Sequence, residues 1–391
     1  MTDSYSDHLD AWLKPSADTA AVREGELFRR VIEPNAKSIV LFGAGFMGKQ
    51  ALCALRSVGI EPLAFSDDTR DRRIVGFAVI APEEIARRYP GAVVFVTILL
   101  PPARFAETAN RLKRLGCQEV LPGADLFHAL KQSYFYVDLP HKILRAKEEV
   151  KQALELFSDE PSRREFLAQI SLRLEIAFDA PPELPLDRQY RPDEFFSKKD
   201  DEVFVDCGAF DGDTVKAFLA WQGGAFARVL ALEPDRENFS ALQNRLAQMP
   251  ASVREKITTA SMAVGATDGF VKFATTGTAE ARVSVDEHGY EVPLAKLDTL
   301  LAGQSPTYLK MDIEGAEVEA LLGARDTIRR SRPVLAICVY HQQDHLWKIP
   351  LLIDSFAKGY RFFLRTYLLG RLETVCYAVP ENRLIDSPAD L

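Results

Sequence analysis

A short apolar run that breaks into glycines and restarts as a helix occurs twice in this chain, and it leaves few folds open. Residues 38–42 (SIVLF) lead into Gly43-Ala44-Gly45-Phe46-Met47-Gly48, and Val203-Phe204-Val205 leads into Asp206-Cys207-Gly208-Ala209-Phe210-Asp211-Gly212. A short apolar run without alternation marks a strand buried on both faces, as in a parallel sheet. After the first turn, Met47, Ala51, Leu55 and Val58 fall on one helical face. Strand and helix signals then follow through residues 62–65, 78–80, 82–89 (a helix), 92–99, 102–115 (a helix) and 119–121. That alternation predicts a small doubly wound α/β domain over residues 37–123. Residues 1–36 read as a helical segment. Residues 124–200 read as a helical, proline-rich linker and lead-in.

The second signal opens a second α/β domain, residues 201–391. Its strand candidates are Val203–Cys207, Arg228–Leu232, 257–264, 307–311, 334–339, 361–365 and 374–379, with amphipathic helices between all but the last two. Those two are joined without a helix, which predicts an antiparallel hairpin at one edge of a seven-stranded sheet. The expected fold is therefore α/β with two Rossmann-like halves, the C-terminal one laid out as a class I methyltransferase. With 391 residues, 47% of them hydrophobic, there is material for more than one core. The net charge of −8 argues against nucleic-acid or anionic-membrane partners, and no apolar run is long enough to span a bilayer. Five scattered cysteines without a C-x-x-C spacing, and an acidic start without an apolar core, read as a reduced, cytoplasmic protein.

In open α/β sheets ligands bind beyond the carboxyl ends of the strands. Asp206, Asp211 and Asp213 crowd the glycines of the second turn, where they would repel a pyrophosphate. S-adenosylmethionine suits that loop better, because it carries a sulfonium and an ammonium group and no phosphate. On this reading Gly208 and Gly212 allow close backbone approach. Thr214 lies where helix N–H groups meet the ligand's carboxylate, and Asp206 meets its ammonium group. Glu233, at the end of the next strand, accepts from both ribose hydroxyls. Ser261 and Met262 lie beside the adenine. Asp312 and His341, after the fourth and fifth strands, are the candidate bases for deprotonating an acceptor alcohol. The reading takes no metal; His341, His345 and Asp312 form its alternative metal set. In the first domain, Gly43, Gly45 and Gly48 form a phosphate-tolerant turn, with Asp67 or Asp68 near a ribose.

The ordered set VFVDCGAFDGDT, ALEPDRENFSALQNRL, LAKLDTLL and YLKMDIEGAEVEALLGA resembles the FkbM-type methyltransferase family, together with QYRPDEFF and VYHQQDHLWKIPLL. The resemblance covers about residues 188–380. It implies S-adenosylmethionine-dependent O-methylation of a hydroxyl on a sugar, glycan or glycosylated small molecule. Asp211 stands where many relatives carry a small or aliphatic residue. The stretch from IVLFGAGFMGKQALCAL to GFAVIAPEEI is similar to the N-terminal domains of bacterial sugar acyltransferases, which implies a nucleotide-sugar ligand there. The alternatives are a non-catalytic protein binding a nucleotide-sugar and S-adenosylmethionine, and an NAD-linked oxidoreductase. A homo-oligomer is compatible with either half.

Overall fold

The computed structural model describes all residues except 1, 28–31, 34–37, 70–73, 75, 78, 99–101, 131–137, 175–180, 192, 275–281, 284–289, 369–370 and 386–391. The chain divides into two units, one of Met1–Lys151 with Phe166–Pro181, the other of Gln152–Glu165 with Pro182–Leu391.

In the first unit, β1 (Ile39–Phe42), β2 (Ala64–Ser66), β3 (Val79–Ile80), β4 (Val93–Val96) and β5 (Glu119–Pro122) form a parallel sheet in the order β3-β2-β1-β4-β5. Every residue of β1 and β4 is buried, as their unbroken apolar runs require. Helix α1 (Phe46–Ser57) turns Gly48, Ala51, Leu52, Ala54 and Leu55 inward. A Cβ on Gly48 would stand 2.0 Å from the Gly43 carbonyl oxygen, so only glycine lets the helix pack this close to the loop. The crevice of such a sheet opens beyond β1 and β4, where strand order reverses.

The second unit holds the larger sheet. Its strands are β6 (Val203–Cys207), β7 (Arg228–Leu232), β8 (Ile257–Ala260), β13 (Tyr308–Met311), β14 (Val334–Cys338), β15 (Tyr360–Leu368) and β16 (Leu372–Pro380), ordered β15-β16-β14-β13-β6-β7-β8. β14, β13, β6, β7 and β8 run parallel, and β16 enters antiparallel between β14 and β15. The reversal point is therefore between β6 and β13. Helices α2 (Asp213–Gln222), α3 (Arg236–Ala247), α4 (Glu317–Leu322) and α5 (His345–Phe356) connect or follow these strands.

The single strand expected over 257–264 is two. β8 is a half-buried edge strand, and β9 (Ala263–Val264) leaves for a separate four-stranded sheet with β10 (Gly269–Ala274), β11 (Arg282–Val283) and β12 (Tyr290–Ala295), ordered β11-β10-β12-β9. An edge strand needs no continuous apolar run, so ITTASMAV gave no sign of the break. The stretch 275–293 contains β11 and the start of β12. Its other residues lie outside the described ones.

Phe195 and Phe196 of the lead-in pack into the aromatic core under the large sheet. Phe195 stacks on Phe363 with ring centroids 4.3 Å apart, and Phe196 meets Trp221 edge-on. Residues 152–165, expected as linker, clamp the edge hairpin. Ser162 Oγ accepts from Leu364 N (2.8 Å), Asp159 pairs with Arg365 (2.7 Å), and Glu165 pairs with Arg371 (2.8 Å) and accepts from the Thr366 hydroxyl (2.7 Å). No helix among the described residues is long and apolar enough to cross a membrane.

All five cysteines are free; Cys53 is exposed, and Cys117, Cys207, Cys338 and Cys376 are buried. Burial pushes the thiols of those four upward, which suppresses the reactive thiolate. A native thiol titration with an aromatic disulfide should therefore show one fast-reacting thiol, and all five in denaturant. More than one fast thiol in the native protein would contradict this packing.

Candidate functional site

The aspartates of the second glycine turn serve the turn itself. Asp206 ends up beside Lys310 because the two are register partners on the adjacent parallel strands β6 and β13. Their side chains form a buried ion pair at 3.1 Å. Lys310 Nζ also donates to the Gly208 carbonyl (2.6 Å) and lies 5.3 Å from the centre of the Tyr190 ring. Burial pushes the Asp206 carboxyl up to about 6 against the pull of Lys310. For Lys310 burial works against the charge, and Asp206 and Asp312 outweigh it and hold the ammonium well above its usual range. Gly208 sits at φ +84°, and a Cβ there would lie 1.9 Å from the Asp312 carbonyl oxygen. The turn after β6 is thus pressed against the end of β13.

Further along the loop, Asp211 pairs with Arg245 and accepts from Asp213 N (3.1 Å). Asp213 accepts from the Thr214 amide (2.6 Å) and hydroxyl (3.3 Å). Thr214 was expected to offer its N–H to a ligand carboxylate. Both its donors are instead engaged by the preceding aspartate. Gly212 is the N-cap residue of α2 in the left-handed region.

Glu233, at the end of β7, is only 5% exposed. Its Oε2 accepts from Phe210 N (2.8 Å) and its Oε1 from Asp235 N (2.9 Å). Burial raises its carboxyl, and those two amides work against the rise. Asp235 caps α3 by accepting from Glu237 N (2.9 Å) and Asn238 N (3.0 Å). Ser261 and Met262 are half-buried in the crossing between β8 and β9. Tyr290, which the sequence gave no reason to select, joins this end of the sheet. Its hydroxyl accepts from Arg236 N (3.1 Å), and the Arg236 guanidinium lies 4.3 Å from the ring centre.

Asp312 and His341 do come together. They follow the neighbouring parallel strands β13 and β14, so both emerge at the same end of the sheet. His341 Nε2 lies 3.4 Å from Asp312 Oδ1 and 3.7 Å from Glu314 Oε2, and Nδ1 lies 2.8 Å from Glu317 Oε1. The two Asp312 oxygens receive the hydroxyls of Tyr190 (2.9 Å) and Tyr340 (3.2 Å). The Tyr340 hydroxyl is also 3.2 Å from Glu373 Oε1. His345 is buried with Nδ1 3.3 Å from Glu317 Oε2. Burial alone would lower the His341 imidazole, but Glu317, Asp312 and Glu314 outweigh it and push it up to about 9. Glu317, buried between the two histidines, is held well below the usual carboxylate range despite its burial. Asp312, Glu317 and His341 stand close enough to share a metal ion.

This is a carboxylate-lined crevice at the reversal point of a methyltransferase-like sheet, and residues 206–366 match the family model for the Methyltransferase FkbM domain. Residues 206–366 form a methyltransferase FkbM domain. Among solved structures, a methyltransferase FkbM from Methylobacillus flagellatus KT is 25% identical, with 96% of this chain and 99% of that chain covered at a TM-score of 0.76. A putative rRNA-methylase from Clostridium thermocellum (9% identity, 49% of this chain and 90% of that one, TM-score 0.31) is far more distant. So is a precorrin-6y C5,15-methyltransferase from Geobacter metallireducens GS-15 (15%, 48% and 84%, TM-score 0.30). No curated protein matches the chain.

Outside the FkbM domain, the first unit repeats one device of the second. Asp67, at the end of β2, accepts from Ala44 N (2.7 Å) in the glycine turn and from Thr69 N (2.8 Å), much as Glu233 accepts from Phe210 N. Gly43 N donates to Ser66 O (2.8 Å), and Gly45 is the N-cap residue of α1. Asp68 pairs with Arg111.

Within the second unit, Tyr190, Tyr340, Glu317 and Glu373 join the predicted pair. Tyr340 neighbours His341 in sequence, and Glu317 lies within the carboxylate-rich strand end, so both were within reach of the motif. Tyr190 and Glu373 reach the site from distant segments, through contacts with Asp312 and Tyr340.

The Asp206–Lys310 pair makes a specific stability prediction. Lys310→Met strands a buried carboxylate and should cost ~3–5 kcal/mol in urea unfolding, whereas Asp206→Leu with Lys310→Met should recover most of that loss. A single variant as stable as the wild type would contradict the pairing.

Proposed function

We propose that the protein is an S-adenosylmethionine-dependent O-methyltransferase acting on a hydroxyl of a sugar, glycan or glycosylated small molecule. The observation that carries this is the carboxylate set at the ends of β6, β7 and β13 around the Gly208 turn, within the FkbM domain. Those residues suit a cationic nucleoside. Glu233 keeps acceptor capacity for ribose hydroxyls beyond its two amide bonds, and Asp312 and Glu314 present negative charge where a sulfonium would lie. Asp206 acts from beneath, through Lys310, on the shape of the turn. Ser261 and Met262 flank the adenine position. Gly212 keeps the loop backbone open.

When bound, the cofactor supplies an activated methyl group. The chain's own residues align the acceptor, which contributes ~7–11 kcal/mol in well-oriented reactions. They also take the hydroxyl proton, worth ~10²–10⁴-fold. Three carboxylates surround the nearly buried His341, whereas Asp312 and Glu314 are partly exposed, so those two carboxylates are the better placed proton acceptors. The Gly43–Gly45–Gly48 turn with Asp67 is the place for a nucleotide-sugar in the first unit.

Calorimetry with S-adenosylmethionine should show Glu233→Ala binding ~10–100-fold more weakly, as expected for lost hydrogen bonds to a charged acceptor. Equal affinity in both proteins would remove the ribose assignment. A radiolabelled methyl group should pass to at least one member of a sugar and glycoside panel, and Asp312→Asn should slow that transfer more than it weakens cofactor binding.

A further inference from the structure

Several buried polar atoms of the second unit that lack hydrogen-bond partners lie together. His341 is only 6% exposed, yet neither ring nitrogen has a hydrogen-bond partner. Its 2.8 Å approach to Glu317 and 3.4 Å approach to Asp312 are ion-pair distances without hydrogen-bond direction. Glu317 is fully buried. Its Oε1 accepts from Ile313 N (3.0 Å), while Oε2 has no hydrogen-bond partner. The ligand atoms of Asp312, Glu317 and His341 all lie within 4.8 Å of one another. A donor-poor, carboxylate-rich pocket built around an off-axis imidazole is poorly satisfied by protons and well satisfied by an ion.

We propose that Asp312, Glu317 and His341 bind a divalent first-row transition-metal ion. Two carboxylates and one imidazole suit Mn²⁺, Fe²⁺ or Zn²⁺ better than a thiolate-seeking ion or an all-oxygen calcium site. The supporting layer that such a site needs is present. Tyr190 and Tyr340 fix the Asp312 carboxylate by their hydroxyls, and His345 stands behind Glu317. The cation replaces the imidazole proton and offsets the excess negative charge of Asp312, Glu314 and Glu317. Asp312 is 23% and Glu314 28% exposed, which leaves the solvent side for a water or substrate oxygen.

The role of the ion rests on the proposed methyl transfer. The ion receives the acceptor hydroxyl oxygen and lowers its pKa. With Asp312 occupied as a ligand, Glu314 takes the proton. The oxygen–carbon bond forms as the carbon–sulfur bond breaks, and the sulfonium leaves as a neutral thioether.

The test is a Mn²⁺ titration of chelator-stripped full-length protein, without cofactor or acceptor, followed by the electron paramagnetic resonance signal of free Mn²⁺. One ion should bind per chain and be displaced by Zn²⁺. Asp312→Asn, which keeps the size of the side chain and one acceptor oxygen, and His341→Ala should each lose more than ~10-fold in affinity. The proposal is overturned if the wild type takes up neither Mn²⁺ nor Zn²⁺ at millimolar concentrations, or if both variants bind like the wild type. Methyl transfer that persists under chelator with no ion bound also overturns the cation while leaving the methyltransferase reading intact. Ion binding without transfer to any acceptor supports the site and counts against that reading.

Discussion

The ion pair between Asp206 and Lys310 sits where the large sheet reverses direction, and the geometry of the crevice follows from it. β6 and β13 are neighbours in space although about a hundred residues of chain lie between them, and register places the two side chains next to one another. A buried pair of this kind is weak evidence of net stability, because desolvation consumes much of the attraction. Its value here is positional. The same ammonium group that answers Asp206 also holds the Gly208 carbonyl, so the turn after β6 is fixed against the end of β13. Glu233 grips the same turn from the other side through Phe210 N.

Charge in this crevice separates into two kinds. Asp206, Asp211, Asp213 and Asp235 are engaged by Lys310, by Arg245 or by amides of their own loops. They shape the walls. Asp312 and Glu314 stay partly exposed, with His341 between them and Glu317. They give the crevice its character toward a ligand. The distinction matters because a count of carboxylates in the motif would credit all of them to ligand binding. The structure credits most of them to holding glycine-rich backbone in place.

Much of this was legible in the sequence, for physical reasons. Strands buried on both faces leave apolar runs, so β1, β4, β14 and the start of β6 could be located, and the absence of a helix between residues 365 and 374 announced the antiparallel edge. The break after Ala260 was silent, because an edge strand carries no such run. Asp312 and His341 could be paired because adjacent parallel strands end together. Tyr190 and Glu373 could not, since they reach Asp312 and Tyr340 only through tertiary folding. Helix N-termini usually offer free N–H groups, and here the Thr214 amide is engaged by the aspartate beside it.

The central claim is that the ends of β6, β7 and β13 form the seat of a nucleoside thioether. A crystal structure of the protein soaked with S-adenosylhomocysteine tests it most directly. The account predicts ligand density in the crevice between β6 and β13, with the ribose hydroxyls on Glu233 and the sulfur turned toward Asp312. Ligand bound elsewhere, with the crevice filled only by the protein's own side chains, would contradict it.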